Sequence, residues 1–249
     1  VASIIMIKHP TSNNTLYFND VDHTYTDNLD SDYIPVTTLY GKYFPEFNTE
    51  EMATECAIKR GVTKQSLLDK WKKICDDAGE NGSRVHDYMH ARLTNLPNLP
   101  KIDKYYKRSI ENILNAIQKK SLELIYSEKV LFSPDLKIAG TVDCVFYDSI
   151  NNQYIIIDWK TSKTIEMFDP YHSKGFGILS HLDNCNHVHY SLQLLIYANL
   201  LKREGYLDPT IPVICRIINI HPYGGFKKSK SYDVIDLKSE VKQILRNMK

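Results

Sequence analysis

The sequence predicts an α/β domain in which a central mixed β-sheet is flanked by helices, with an N-terminal hairpin and a helical insertion ahead of it. Three observations carry that prediction. Between Leu124 and Ser162 lie three short runs rich in β-branched and aromatic residues, LIYSEKVLFS, KIAGTVDCVFYD and QYIIIDWKTS, separated by Ser-Pro-Asp and Asn-Asn turn signals. Helical periodicity precedes these runs and returns after them. No internal repeat or low-complexity linker divides the 249 residues. The chain therefore reads as a single domain over 1–249, with a hairpin and helical part at 1–122 and the sheet-bearing core at 123–249.

Taken in order, NTLYFNDVDHTYT alternates β-formers around an Asn-Asp centre and predicts strands at Thr15–Phe18 and His23–Thr26. A helix is expected from Thr49, which with Glu50 and Glu51 supplies a cap and an acidic first turn. Further helices are predicted at Lys64–Asp77, Gly82–Thr94 and Ile102–Ser121. The last sets Ile110, Ile113, Leu114 and Ile117 on one face as core packing. After the three strands, HYSLQLLIYANLLKREG predicts an amphipathic helix stopped at Gly205, IPVICRIINI a buried strand, and Leu237–Met248 a short amphipathic helix.

Composition excludes several classes. No apolar run is long enough for a membrane span, and the opening VASIIMIKHP lacks the basic start and cleavage pattern of a secretory signal, so a soluble, cytoplasmic location is expected. Five cysteines, Cys56, Cys75, Cys144, Cys185 and Cys215, show no CxxC spacing, which argues against a disulfide framework and a zinc ribbon. A net charge of +1 leaves any polyanion contact to local patches. Lys227, Lys228 and Lys230 form the better candidate patch and Lys101–Arg108 a lesser one.

The chemistry concentrates on two predicted strands. Asp143 stands among apolar neighbours that would bury its carboxylate, so its charge calls for a compensating cation. Fifteen residues on, three isoleucines lead into Asp158-Trp159-Lys160. Residues two apart in a strand share a face, so Asp158 and Lys160 project together while Trp159 points away. A hairpin turning at Asp148–Asn152 would bring both carboxylates to one ion. Oxygen ligands completed by water and phosphate suit Mg²⁺ or Mn²⁺. Lys160 beside them could orient or deprotonate the attacking water and offset charge on a phosphoryl transition state.

These residues resemble the PD-(D/E)xK nuclease superfamily, with Val142-Asp143 in place of the Pro-Asp and Asp158-Trp159-Lys160 as the second half. The ordered set resembles its RecB-like, phage-type exonuclease branch: Gly82 to His86 (one residue longer than the usual spacing), Gly140 to Asp143, Asp158 to Thr161, then Gln193 to Tyr197. The hairpin with Tyr25 followed by Pro35-Val36-Thr37-Thr38 is similar to the entry segment of phage-type members. The resemblance implies a restriction-endonuclease-like core and Mg²⁺- or Mn²⁺-dependent hydrolysis of DNA, single- or double-stranded. An exonuclease in replication, recombination or repair is expected, and a viral origin would make the compartment the host cytoplasm. It further implies that His86, at a helix start, and the backbone carbonyl of Trp159 join Asp143 and Asp158 as metal ligands. Gln193 and Tyr197 would steady Lys160 or touch the DNA backbone, and Glu128 falls where an acid often occurs. The cysteine spacing does not match the iron-sulfur members of the branch, so no cluster is expected.

Rival readings start from the same residues. A retained fold without turnover would make the chain a nucleic-acid-binding or scaffold protein, against which the complete Asp143, Asp158 and Lys160 set speaks. His86 and His90, four apart, echo a zinc hydrolase helix, but aspartate replaces its glutamate and no third ligand is evident. His181, Asp183, Cys185, His187 and His189 read as a polar loop entering the Gln193 helix rather than as a zinc site.

Overall fold

The computed structural model describes residues 4–19, 21–27, 31–220 and 229–248. Its N-terminal sheet consists of β1 (Ile4–Lys8), β2 (Thr15–Asn19) and β3 (Thr24–Asp27), paired antiparallel in that order. The expected hairpin is β2–β3. The additional strand β1 exposes Ile4, Ile5 and Met6, so it shows none of the alternating burial by which a strand is recognised in sequence.

Among the described residues the main sheet has six strands: β4 (Ile34–Pro35), β5 (Glu123–Ser133), β6 (Ile138–Asp148), β7 (Gln153–Lys160), β8 (Val213–Asn219) and β9 (Lys230–Asp233). Its order is β4-β6-β7-β8-β9, with β5 also on β6. The β4–β6 and β7–β8 pairs are parallel and the other pairs antiparallel, so the sheet is mixed as expected. Although β4 comes from the N-terminal part of the chain, it is built into this sheet. It leads directly into α1 (Val36–Gly41), whose Val36, Leu39 and Tyr40 are buried in the main core.

Helix α2 (Thr49–Arg60) is capped by Asn48, which accepts from the Glu51 N–H and whose amide donates to the Glu51 carboxylate. The cap is thus one residue earlier than expected, and the reciprocal bonds explain why. The two helices expected at Lys64–Asp77 and Gly82–Thr94 are one 30-residue helix, α3 (Lys64–Leu93). Gly79 lies inside an otherwise regular turn, and Lys72–Asp76, Lys73–Asp77 and Glu80–Arg84 pairs spaced by four span the region. Each contributes about 0.3–0.5 kcal/mol, which helps offset the glycine cost. Helix α4 (Lys104–Lys119) packs Ile110 and Ile113 with Trp159 on one sheet face.

Helix α5 (Asn186–Arg203) is buried on nearly every side, including Ser191 and Gln193, rather than amphipathic. It lies between the sheet and an outer cover formed by α1 and by α6 (Lys238–Arg246). A helix enclosed this way reads as apolar all round. The sheet therefore has one face on α5 and the other on α3 and α4, and the candidate residues fall where these layers meet. Among the described residues no helix is long and apolar enough to cross a membrane.

Candidate active site

Strand β6 is paired with β5 along one edge from Ile138 to Tyr147, but its other edge is shared. Ile138 and Ala139 pair with β4, and Cys144 to Asp148 pair with β7, so β6 and β7 part company at Asp143. In that fork the Asp143 carboxylate takes over the missing ladder contact: its Oδ2 accepts the Trp159 backbone N–H at 2.7 Å. Continuing the alternation, Ile157 and Trp159 enter the core under α3 and α4, whereas Asp158 and Lys160 turn to the α5 side.

Glu128 stands opposite Asp143 across the β5–β6 pair, between the partners Ser127↔Cys144 and Lys129↔Val142. Its backbone is left-handed, with φ 47°, an uncommon state for a side-chain-bearing residue that costs about 1–3 kcal/mol and marks a constrained position. The gain is proximity to α3. His86 Nδ1 lies 3.2 Å from Glu128 Oε1 and 3.7 Å from Asp143 Oδ1, while His86 Nε2 meets the Trp159 carbonyl oxygen at 3.1 Å. Of the four metal ligands expected from sequence, His86, Asp143 and the Trp159 carbonyl lie together here, and the acid that joins them is Glu128 rather than Asp158, which is engaged by Lys160. His86 reaches them from the interior of α3, not from a helix start.

Electrostatics follow from burial. Asp143 and Asp158 are only 8% and 2% exposed, and desolvation pushes both carboxyls up from their ordinary value. Burial alone would lower the His86 pKa, but Asp143 and Glu128 outweigh it and raise it to about 9. Its imidazolium donates from both nitrogens and supplies the charge that buried carboxylates require. Lys160 is held protonated by Asp158 and Asp143, with Nζ 3.0 Å from Asp158 Oδ1 and 2.9 Å from Oδ2. Among the described residues, ligand atoms of His86, Glu128 and Asp143 all lie within 4.8 Å of one another, close enough to hold one metal ion. Two carboxylates and an imidazole fit Mg²⁺ or, with the nitrogen, Mn²⁺. Asp158 stands beside this group, engaged by Lys160.

The family model for the PD-(D/E)XK nuclease superfamily matches residues 63–247, which contain every one of these groups. The chain belongs to that superfamily. The mixed sheet flanked by helices agrees with its restriction-endonuclease-like fold. A solved structure described as "Crystal structure of SSO0001" is similar at 13% identity, covering 67% of this chain and 72% of that one, with a TM-score of 0.28, too low to add to the assignment. No curated protein matches the chain.

Within this nuclease domain the α5 residues sit as their spacing predicts. Gln193 Oε1 lies 3.4 Å from Lys160 Nζ, and Gln193 Nε2 donates to the Tyr197 hydroxyl at 3.4 Å. Tyr197 also explains Gly140: a Cβ there would lie 2.8 Å from the tyrosine ring, so strand and helix approach this closely only at a glycine. The sequence reading missed Tyr190. Its ring centroid lies 4.4 Å from Lys160 Nζ, and its hydroxyl meets Ser162 Oγ at 3.3 Å and the Asn186 amide at 3.4 Å. Its place three residues before Gln193, on the same helix face, was the available signal.

Other sequence candidates are accounted for elsewhere. His90 Nδ1 meets Ser127 Oγ at 2.8 Å. His181 pairs with Glu240 and Asp183 with Lys174 in the segment before α5, whereas His187, expected in that loop, lies in the first turn of α5 with His189 and meets the Asp233 carbonyl, so these groups have separate partners. Lys227 and Lys228 lie outside the described residues. Lys230 is exposed on β9 in line with Asn219 and Lys160, its Nζ 4.7 Å from the Tyr232 ring.

Proposed function

We propose that this protein hydrolyses DNA phosphodiester bonds with Mg²⁺ or Mn²⁺, as an exonuclease in replication, recombination or repair. The observation that supports the reading is the fork between β6 and β7, where the ligand atoms of His86, Glu128 and Asp143 gather within 4.8 Å and the Asp158–Lys160 ion pair stands beside them. His86, Glu128 and Asp143 would hold the ion, with Asp158 and the Trp159 carbonyl as the further ligands that the family resemblance implies. The bound cation would supply charge neutralisation at the scissile phosphate.

The residues around it have separable roles. Lys160 donates hydrogen bonds and positive charge to the phosphate as negative charge builds on its oxygens, and it orients the attacking water. In the metal-free protein Asp158 holds it protonated, as a hydrogen-bond donor. Gln193 fixes the direction of Nζ, and Tyr197 in turn fixes the Gln193 amide. Asp143 ties the two catalytic strands together through Trp159.

The deciding experiment incubates end-labelled linear and closed circular DNA, single- and double-stranded, with Mg²⁺, Mn²⁺ or EDTA. A matching RNA set is included, and wild type is compared with Lys160→Ala. Metal-dependent loss of linear DNA alone, absent in the variant, is the expected result. Cleavage of circles would make the protein an endonuclease, and cleavage of RNA alone would change the substrate. No cleavage under any condition would favour the nucleic-acid-binding or scaffold reading.

A further inference from the structure

Asn219 ends β8 only 6% exposed, and its buried Oδ1 has no hydrogen-bond partner among the described residues. A buried acceptor without a donor costs stability, and such groups concentrate where function requires them. The sheet fixes where this one stands. Strands β7 and β8 run parallel, with Asp158 beside Ile217 and Lys160 beside Asn219, and just past that pair the Ile220 N–H donates to the Lys160 carbonyl at 2.6 Å. Ile217 is buried in the core on the α5 side, so Asn219, two residues on, turns to that side too, where Asp158, Lys160, Tyr190 and Gln193 meet. Neighbouring strands lie about 4.8 Å apart, a gap that a lysine side chain can span.

We propose that Asn219 is a positioning residue for Lys160: its Oδ1 and Gln193 Oε1 together hold the ammonium when Asp158 turns to a metal ion. This role rests on the nuclease reading and adds a residue that the motifs do not name. An ammonium has three N–H donors. In the metal-free protein they face Asp158 Oδ1 and Oδ2, at 3.0 and 2.9 Å, and Gln193 Oε1 at 3.4 Å, with the Tyr190 ring centroid 4.4 Å away. Asp158 cannot keep both oxygens on Lys160 and also serve an ion beside Asp143. The ammonium then needs another acceptor, and Asn219 offers one on the adjoining strand with no donor of its own. Lys230, the neighbour of Asn219 on β9, is exposed and lies over the Tyr232 ring, so it leaves this oxygen unpaired.

Two amide oxygens suit the task better than a second carboxylate would. They fix the direction of Nζ without adding negative charge next to a phosphate, and without competing for the cation. Direction matters because a misplacement of about 1 Å in a catalytic group costs on the order of 10²-fold in rate.

The test compares wild type with Asn219→Leu, of similar size and without a polar atom, and with Asn219→Ala, which adds no bulk against α5. In EDTA at least one variant should unfold at a urea concentration no lower than wild type, since the change removes an acceptor that had no donor. With saturating Mg²⁺ and a linear oligonucleotide, kcat should fall about 10- to 100-fold in that variant, with KM and calorimetric Mn²⁺ affinity both within about twofold of wild type. A second readout needs no turnover: exchange of the Lys160 ammonium protons with water, followed on the ¹⁵Nζ resonance that Lys160→Ala removes. In the variant this exchange should be at least about fivefold faster with Mg²⁺ bound and unchanged in EDTA, where Asp158 holds the ammonium. Equal exchange with Mg²⁺, faster exchange in EDTA as well, or loss of stability in both variants overturns the proposal. If cleavage depends on metal and Lys160 but both variants match wild type, the nuclease reading stands and only the role of Asn219 fails. If wild type cleaves nothing, the nuclease reading falls, and the exchange rates alone decide whether Asn219 holds Lys160.

Discussion

Removing the proton from His86 should cost stability, and the amount follows from its surroundings. In the metal-free protein Asp143 and Glu128 raise its pKa from 6.5 to about 9, and the side chain is only 26% exposed, so solvent screens the contacts weakly. That difference corresponds to about 3 kcal/mol. Because the folded-state value is the higher one, the stabilisation is complete below pH 6.5 and is lost as pH rises through about 9. Urea unfolding in EDTA at intervals from pH 6 to 9.5 should therefore show wild type losing about 3 kcal/mol across this window. The His86→Gln variant, which leaves the carboxylates without a cation at every pH, should be weaker throughout and nearly flat. A divalent ion that takes the imidazole must displace the same proton. Mn²⁺ affinity should consequently rise by up to about tenfold per pH unit below 9 and level off above it. Parallel pH profiles for wild type and variant, or Mn²⁺ affinity independent of pH, would refute the assignment of His86 as the group that proton and metal share.

Other perturbations separate the roles of neighbouring residues. Lys160→Ala should lower kcat by about 10²–10⁴-fold with Mn²⁺ affinity nearly unchanged in a calorimetric titration. Glu128→Gln should weaken Mn²⁺ binding by about 10–100-fold or more and, because it removes one of the two carboxylates that hold the His86 imidazolium, should shift the loss of stability in EDTA to lower pH. Tyr190→Leu should reduce kcat by about 2- to 30-fold with KM little affected, and Tyr190→Phe, which keeps the ring face under Lys160 Nζ, should restore most of it. Gly140→Ala should destabilise by about 1–3 kcal/mol, since the added methyl meets the Tyr197 ring, and a smaller residue at 197 should partly rescue the thermal midpoint.

Elements with a strong local signature were the ones legible in sequence. Strands β5 to β8 and helix α4 show alternation or periodicity within their own residues, and the β6–β7 hairpin follows from its turn. Strand β4, two residues long, and β9 owe their existence to partners in β6 and β8, which no local window contains. The break expected near Gly79 failed because exposed ion pairs carry α3 through it. At the site, Asp143, Asp158, Lys160, His86 and Gln193 were named from ordered motifs. The part played by Glu128 depends on a left-handed backbone and on its cross-strand position, and Tyr190 acts through a ring face. Neither property is written in residue type or spacing.

Asp143 is at once the side chain that joins β7 to β6 beyond their last paired residues and one of the three groups placed to bind an ion. Mechanical integrity and metal selectivity thus share a single carboxylate. Substitutions meant to retune the preferred cation at position 143 would also loosen the splice between two strands, whereas Glu128, which carries no such duty, can be changed with the architecture intact. Position 128 is accordingly the place where this nuclease can drift or be engineered toward another ion.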